Sequence, residues 1–140
     1  LWVRSAGDAF RYRKQLDAQH VRLMFNINAE FAQQLAPRPI ADVAKSVVFD
    51  SNPDAILISG PITSQPANAS ALAEVKEAIG ASGVPILANT GFKASNAKEI
   101  LQYADGAIVG SSLKVDGVTW NPVDEARVRD LIRAVDAASA

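Results

Sequence analysis

Apolar residues fall along this chain in two alternating rhythms. Compact apolar runs occur at Val21–Ile27, Ala55–Ser59, Val84–Asn89 and Gly106–Gly110. Each is too short for a helix. Three of them are near-continuous Ile, Leu, Val and Ala, the pattern of strands covered on both faces in a parallel sheet. Between them the apolar positions recur every three or four residues. Ile40, Val43, Ala44, Val47 and Val48 make one stripe along a helix. Ala97, Ile100, Leu101 and Ala104 repeat it, as do Val128, Leu131, Ile132 and Val135, and Leu72, Val75 and Ile79 form a shorter one. Phe10 and Leu16 point to a further helix before the first strand.

Local signals mark where these helices start and stop. Asn121-Pro122-Val123-Asp124 reads as a capping Asn, a Pro at the first helical position and an acid close behind. Ser95 is placed to cap the helix that contains Ile100, with Glu99 near its positive end. Gly80 follows Ile79 where a left-handed residue would end that helix. Ser64–Ser70, with Pro66, reads as a polar surface loop.

The order is a helix followed by four strand–helix units. Alternating elements of this kind predict an α/β fold with a parallel sheet and right-handed crossovers. Two architectures satisfy the pattern: an open doubly wound sheet, or half of a (β/α)8 barrel, which runs to about 250 residues in full. The 140 residues make one partial domain, 1–140, on the second reading. The chain opens with Leu1 partway into a helical pattern, so an N-terminal portion is expected to precede it.

Composition narrows the function classes. Hydrophobic residues make up 49% and the net charge is −1, as in ordinary soluble domains. The 14 Lys and Arg are spread along the chain, which argues against nucleic acid as a partner. Absence of cysteine excludes disulfides, thiolate nucleophiles and thiolate metal sites. No apolar run approaches the roughly 18 residues of a membrane helix, and no signal-peptide pattern opens the chain. A cytoplasmic protein without a membrane span is the expectation.

In both architectures ligands bind beyond the C-terminal ends of the strands. His20, Asp54, Pro85 and Asp105 precede their strands and so belong to the opposite, structural face, and Asp50 shares that side. The C-terminal ends present Asn26, Asn28 and Glu30; Ser59, Gly60, Thr63 and Ser64; Asn89, Thr90 and Gly91; and Gly110, Ser111, Ser112 and Lys114. These residue types form turns, and they also read oxygen-rich ligands. The sharpest pairing is Asn89-Thr90-Gly91 with Gly110-Ser111-Ser112, because barrels often hold a phosphate between the loops after their last two strands. Lys93 or Lys114 would add charge there. Glu30 and Lys114 are the proton-transfer candidates. No His or Asp cluster has metal-ligand spacing, and no cofactor is evident. Trp120 caps the site mouth or packs under the final helix, with packing favoured.

Several segments together resemble one family. Phe10-Arg11-Tyr12-Arg13, Leu35-Ala36-Pro37-Arg38-Pro39, Val75-Lys76-Glu77-Ala78, Ala104-Asp105-Gly106, Gly110–Gly117 and Asn121-Pro122-Val123-Asp124 look like the BtpA/SgcQ family. The resemblance implies a phosphate-binding eight-stranded barrel, of which this chain would be the C-terminal half. It implies two functional directions. One is a barrel binding a phosphorylated small metabolite, with lyase, isomerase or hydrolase chemistry. The other is a non-catalytic assembly factor, since one cyanobacterial member is associated with photosystem I biogenesis. Many members carry an Asp, a His and a Lys-His pair where this chain has Asn26, Asn28, Glu30 and Phe31, so the resemblance carries binding over more firmly than catalysis. Exposed strand edges on a half-barrel also lead to the expectation of a homo-oligomer.

Overall fold

The computed structural model describes residues 5–32, 35–61 and 65–139. Helix α1 (Ala6–Gln15) precedes strand β1 (Met24–Asn26). Then come α2 (Ile40–Ser51), β2 (Ala55–Ile58), α3 (Ala69–Ile79), β3 (Ile86–Ala88), α4 (Ala97–Ile100), β4 (Gly106–Ala107) and α5 (Glu125–Ser139). The strands form one parallel sheet in the order β1-β2-β3-β4. Neighbours in sequence are neighbours in the sheet, with no reversal of order. An open doubly wound sheet would reverse its order partway. The arrangement is that of half a (β/α)8 barrel.

The sheet has two distinct faces. Ile56, Ile58, Ile86 and Ala88 point to the helices and join Leu72, Val75, Ile79, Phe92, Ile100 and Leu131 in one core. Alternation sends Leu57 and Leu87 to the other face. Met24 and Ile108 share that face and are 48% and 42% exposed. This is the concave side that a full barrel would enclose.

The N-terminal ends of the strands are held by carboxylates. Asp54, just before β2, donates its N–H to Leu23 O at 2.9 Å and accepts Leu23 N–H on Oδ2 at 2.7 Å. Asp105, just before β4, makes the same pair of bonds with Ile86, at 2.8 and 2.9 Å. The Leu23 amide, with Arg22 beside it, holds the Asp54 carboxyl below its ordinary value. Burial pushes the Asp105 carboxyl up, but the Lys76 ammonium and the Ile86 amide outweigh it and leave the group lowered. Both residues are structural, as their place before the strands implies. His20 is exposed on the same side.

Four local expectations are corrected. Asp124, not Asn121, caps α5, its Oδ1 accepting Ala126 N–H at 2.9 Å. Asn121 instead donates to Val115 O, and Pro122 and Val123 lie in a short antiparallel contact with Lys114 and Val115. Gly80 stays right-handed (φ −54°) and starts a short 3₁₀ turn, which the left-handed Gly83 (φ 73°) ends. Ser95 lies within the 3₁₀ turn Ala94–Asn96 rather than at the start of α4, because the Asn96 side chain organises that turn through Lys93 N–H and Gly91 O. Trp120 is 93% exposed and does not pack under α5.

Candidate functional site

The polar strand ends predicted from sequence converge. Ser59, buried after β2, accepts hydrogen bonds on Oγ from Asn26 Nδ2 at 2.8 Å and Asn89 Nδ2 at 3.0 Å. Three successive strands thus end in one polar row. Asn28 extends the β1–β2 ladder with its side chain. It accepts Ser59 N–H at 2.7 Å and donates to Ser59 O at 2.9 Å. Thr90 Oγ1 accepts Gly60 N–H at 2.6 Å, tying the ends of β2 and β3.

Two cavities flank this row. The first, about 770 Å³, is lined by Asn89, Thr90 and Gly91 on one side and Gly110, Ser111 and Ser112 on the other. Those are the two segments paired from sequence. Ser112 Oγ donates to Phe92 O at 2.7 Å, which fixes the two walls against each other. Ser111 Oγ and Thr119 Oγ1 lie 2.8 Å apart. The Ser112 amide precedes the first bond of the turn Ser111–Leu113, which runs from Leu113 N–H to Gly110 O at 3.0 Å. Such first-turn amides have no acceptor within their own turn. The second cavity, about 880 Å³, is bordered by Asn28, Glu30, Arg38, Ser59 and Gly60.

The candidate proton-transfer residues are therefore separated. Glu30 borders the second cavity, whereas Lys114 borders neither and belongs to the strand-like contact with Val123. Lys93 lines the first cavity. Thr63 and Ser64 lie outside the described residues.

Glycines at the site play different parts. A Cβ on Gly91 (φ 63°) would lie 2.3 Å from both the Gln65 carbonyl carbon and Pro66 N. A Cβ on Gly60 would lie 2.3 Å from Gln65 O. These two glycines admit the chain's own loop. Around Gly110, by contrast, a Cβ meets nothing within 4 Å, so that glycine leaves open space at the cavity rim.

Arg127 was missed by the sequence reading. It lines the first cavity from the second residue after the start of α5. Its distance in sequence from any strand end hid it, and the one available signal was its i, i+3 spacing from the capping Asp124. Among the described residues no group of three His, Asp or Glu is placed to hold a metal ion. No helix among them is long and apolar enough to cross a membrane.

Comparison with known proteins identifies a family and several relatives. Residues 1–137 match the model of the BtpA family. The sgc region protein SgcQ of Escherichia coli is 36% identical over 135 residues, covering 96% of this chain and 50% of that protein. An uncharacterised protein of Archaeoglobus fulgidus is 33% identical, over 92% of this chain and 48% of its own length. The photosystem I biogenesis protein BtpA of Synechocystis is 28% identical, over 94% and 45% respectively. This chain spans about half the length of these relatives. With the matched region running from before α1 through the whole sheet and into the last turn of α5, the chain belongs to the BtpA family.

Proposed function

We propose that this protein binds a phosphorylated small metabolite, a sugar phosphate or a nucleotide, at the C-terminal ends of its strands. One observation carries the reading: a single cavity is walled by Asn89–Gly91 and Gly110–Ser112 together, with Lys93 and Arg127 on its border. Backbone amides beside glycine, hydroxyls and cations suit an oxyanion. The polar row of Asn26, Ser59 and Asn89 supplies further donors and acceptors for the hydroxyl-rich remainder of such a ligand. Any proton transfer falls to Glu30, since Lys114 borders neither cavity. The reaction class would be lyase, isomerase or hydrolase. The setting is the cytoplasm, and the partly open concave face, with Met24 and Ile108, favours a homo-oligomer.

The test is a thermal-shift titration. A ligand that binds only the native state stabilises it, by about 2.7 kcal/mol at a hundred times its Kd, and so raises Tm. Inorganic phosphate, glucose 6-phosphate and AMP are the probes, with glucose and adenosine as uncharged controls. Stabilisation by the phosphorylated members alone is expected, and Ser112→Ala reduces it. A flat response to all three phosphates at millimolar concentration refutes the reading.

A second reading is an assembly factor without catalysis. The name of the Synechocystis relative, photosystem I biogenesis protein, favours it. Affinity purification that recovers no specific partner counts against this alternative.

A further inference from the structure

The cavity between the last two strand ends contains a cation that local sequence patterns do not point to. Arg127 borders it, and its side chain is 42% exposed. Its Nε lies 3.6 Å from Asp124 Oδ2. The other oxygen of Asp124 caps α5, accepting Ala126 N–H at 2.9 Å and Arg127 N–H at 3.4 Å. Asp124 is itself anchored, its own N–H bonding Leu113 O at 2.8 Å. Leu113 closes the Ser111–Leu113 turn, so the cap, the turn and the guanidinium are mechanically linked.

Nη1 of Arg127 faces the left-handed Gly117 (φ 71°), lying 4.0 Å from where a Cβ there would sit. Gly117 lines the same cavity, which places the fork beside that wall. Among the described residues Asp124 is the one ion-pair partner of Arg127. A guanidinium carries five donors, and Asp124 engages it through Nε. The terminal fork therefore keeps its donors for something else. Asp130, the carboxylate on the cavity border, is engaged by Arg133 at 3.4 Å. Lys93 is the other cation on that border, but it projects from an exposed loop position as a flexible point charge.

We propose that Arg127 is the residue that reads the ligand's phosphate in this cavity, through a bidentate fork, and that Asp124 positions it. The inference rests on the phosphate-binding reading above and adds to it the source of charge and of geometric selectivity. A planar fork matches two oxygens of a phosphate monoester, whereas an ammonium gives charge without direction. Helix α5 thereby contributes to ligand recognition, in addition to the strand-end loops.

The experiment is titration of the 140-residue protein with inorganic phosphate, followed by calorimetry. Arg127→Gln is expected to weaken phosphate binding about 10- to 100-fold, the loss of a charge-assisted bidentate contact. Arg127→Lys keeps the charge and is expected to recover only part of that loss. Lys93→Gln is expected to change affinity by about threefold or less. Asp124→Asn keeps a capping oxygen, and Asn and Asp cap helices about equally well. It is therefore expected to leave Tm near the parent value while weakening phosphate binding. Absence of binding by the parent protein refutes the phosphate reading and this inference together. Parent binding that Arg127→Gln leaves unchanged, while Ser112→Ala weakens it, overturns the role of Arg127 alone. If Arg127→Gln does not fold, Arg127→Lys decides: affinity equal to the parent overturns the fork.

Discussion

Replacement of Gly91 by Ala separates a glycine that the fold requires from one that the fold leaves free, Gly110 at the cavity rim. The added Cβ would lie 2.3 Å from the Gln65 carbonyl carbon and from Pro66 N. Ordinary carbon contacts sit at about 3.5–4.0 Å. Backbone atoms must therefore move by more than an ångström, and the contacted atoms are main chain, which cannot rotate away. Overpacking of this kind costs about 1–3 kcal/mol. The left-handed φ of 63° at Gly91 adds about 1–2 kcal/mol for a residue with a Cβ. The sum is about 2–5 kcal/mol, a large part of the roughly 5–15 kcal/mol that holds a domain together. The expected fall in Tm is roughly 10 °C. Gly110→Ala is the comparator, because its Cβ meets nothing within 4 Å. Its stability should stay within about 0.5 kcal/mol of the parent, while its response to phosphate drops. Urea denaturation followed by circular dichroism measures both. A Gly91→Ala protein as stable as the parent refutes the close approach of the Gln65–Pro66 loop.

Other outcomes follow from the same contacts. Asn28→Ala leaves the Ser59 amide without its 2.7 Å acceptor at a buried position, and should cost about 1–3 kcal/mol in urea unfolding; a loss under about 0.5 kcal/mol would show that the side chain is not part of the ladder. Asp105→Ala strips the Ile86 amide of its carboxylate partner and should destabilise to a similar degree, read as a lower urea midpoint with an unchanged slope. Asp54 and Asp105 both have carboxyls lowered in the folded state, so the unfolded chain binds more protons in the acid range. Their contribution is complete above the unfolded value near 3.9 and is lost as pH falls through the lower folded values. Urea midpoints measured from pH 6 to pH 2.5 should fall in that window, and an Asp54→Asn, Asp105→Asn double variant should fall less steeply; equal slopes would remove these carboxylates from the explanation.

The sequence and the structure agree where the physics is local or periodic. The apolar stripe Ile40–Val48 becomes α2, and Ala55–Ile58 becomes a strand buried at every position. Strand centres are right but their ends are shorter than the apolar runs. Val21–Ile27 forms a ladder over Met24–Asn26, with Leu23 O and Ile27 N–H each adding one bond to Asp54 and Leu57, while the Val21 carbonyl is taken by Arg13 Nη1 at 3.0 Å. Gly106–Gly110 pairs only at Gly106–Ala107, with Ile108 adding one bond to Ala88 O. The polar strand ends were legible because the direction of a parallel strand fixes which end faces a ligand. Crossings between distant segments were not. Nothing local to Gly60 or Gly91 announces that Gln65 and Pro66 pass over both. The cap was misplaced for a similar reason. Asn121-Pro122 looks like a helix start in isolation, but the antiparallel contact with Lys114 and Val115 claims those residues and delays the helix to Glu125.

The paired carboxylates at the strand starts have a consequence for how the sheet comes apart. Asp54 staples β1 to β2, and Asp105 staples β3 to β4. Among the described residues the middle seam has no counterpart: Pro85 stands there, accepting from Ile56 N–H at 3.0 Å and lacking an N–H of its own. Beyond its ladder, that seam is closed at the opposite end, by Ser59 with Asn89 and Gly60 with Thr90. One core nevertheless spans this seam, with Ile56, Ile58, Ile86 and Ala88 together in it, so the middle pairing rests on its ladder, on that core and on the polar row. Amide exchange at Gly60 and Asn89 would report directly on how firmly this row holds β2 to β3.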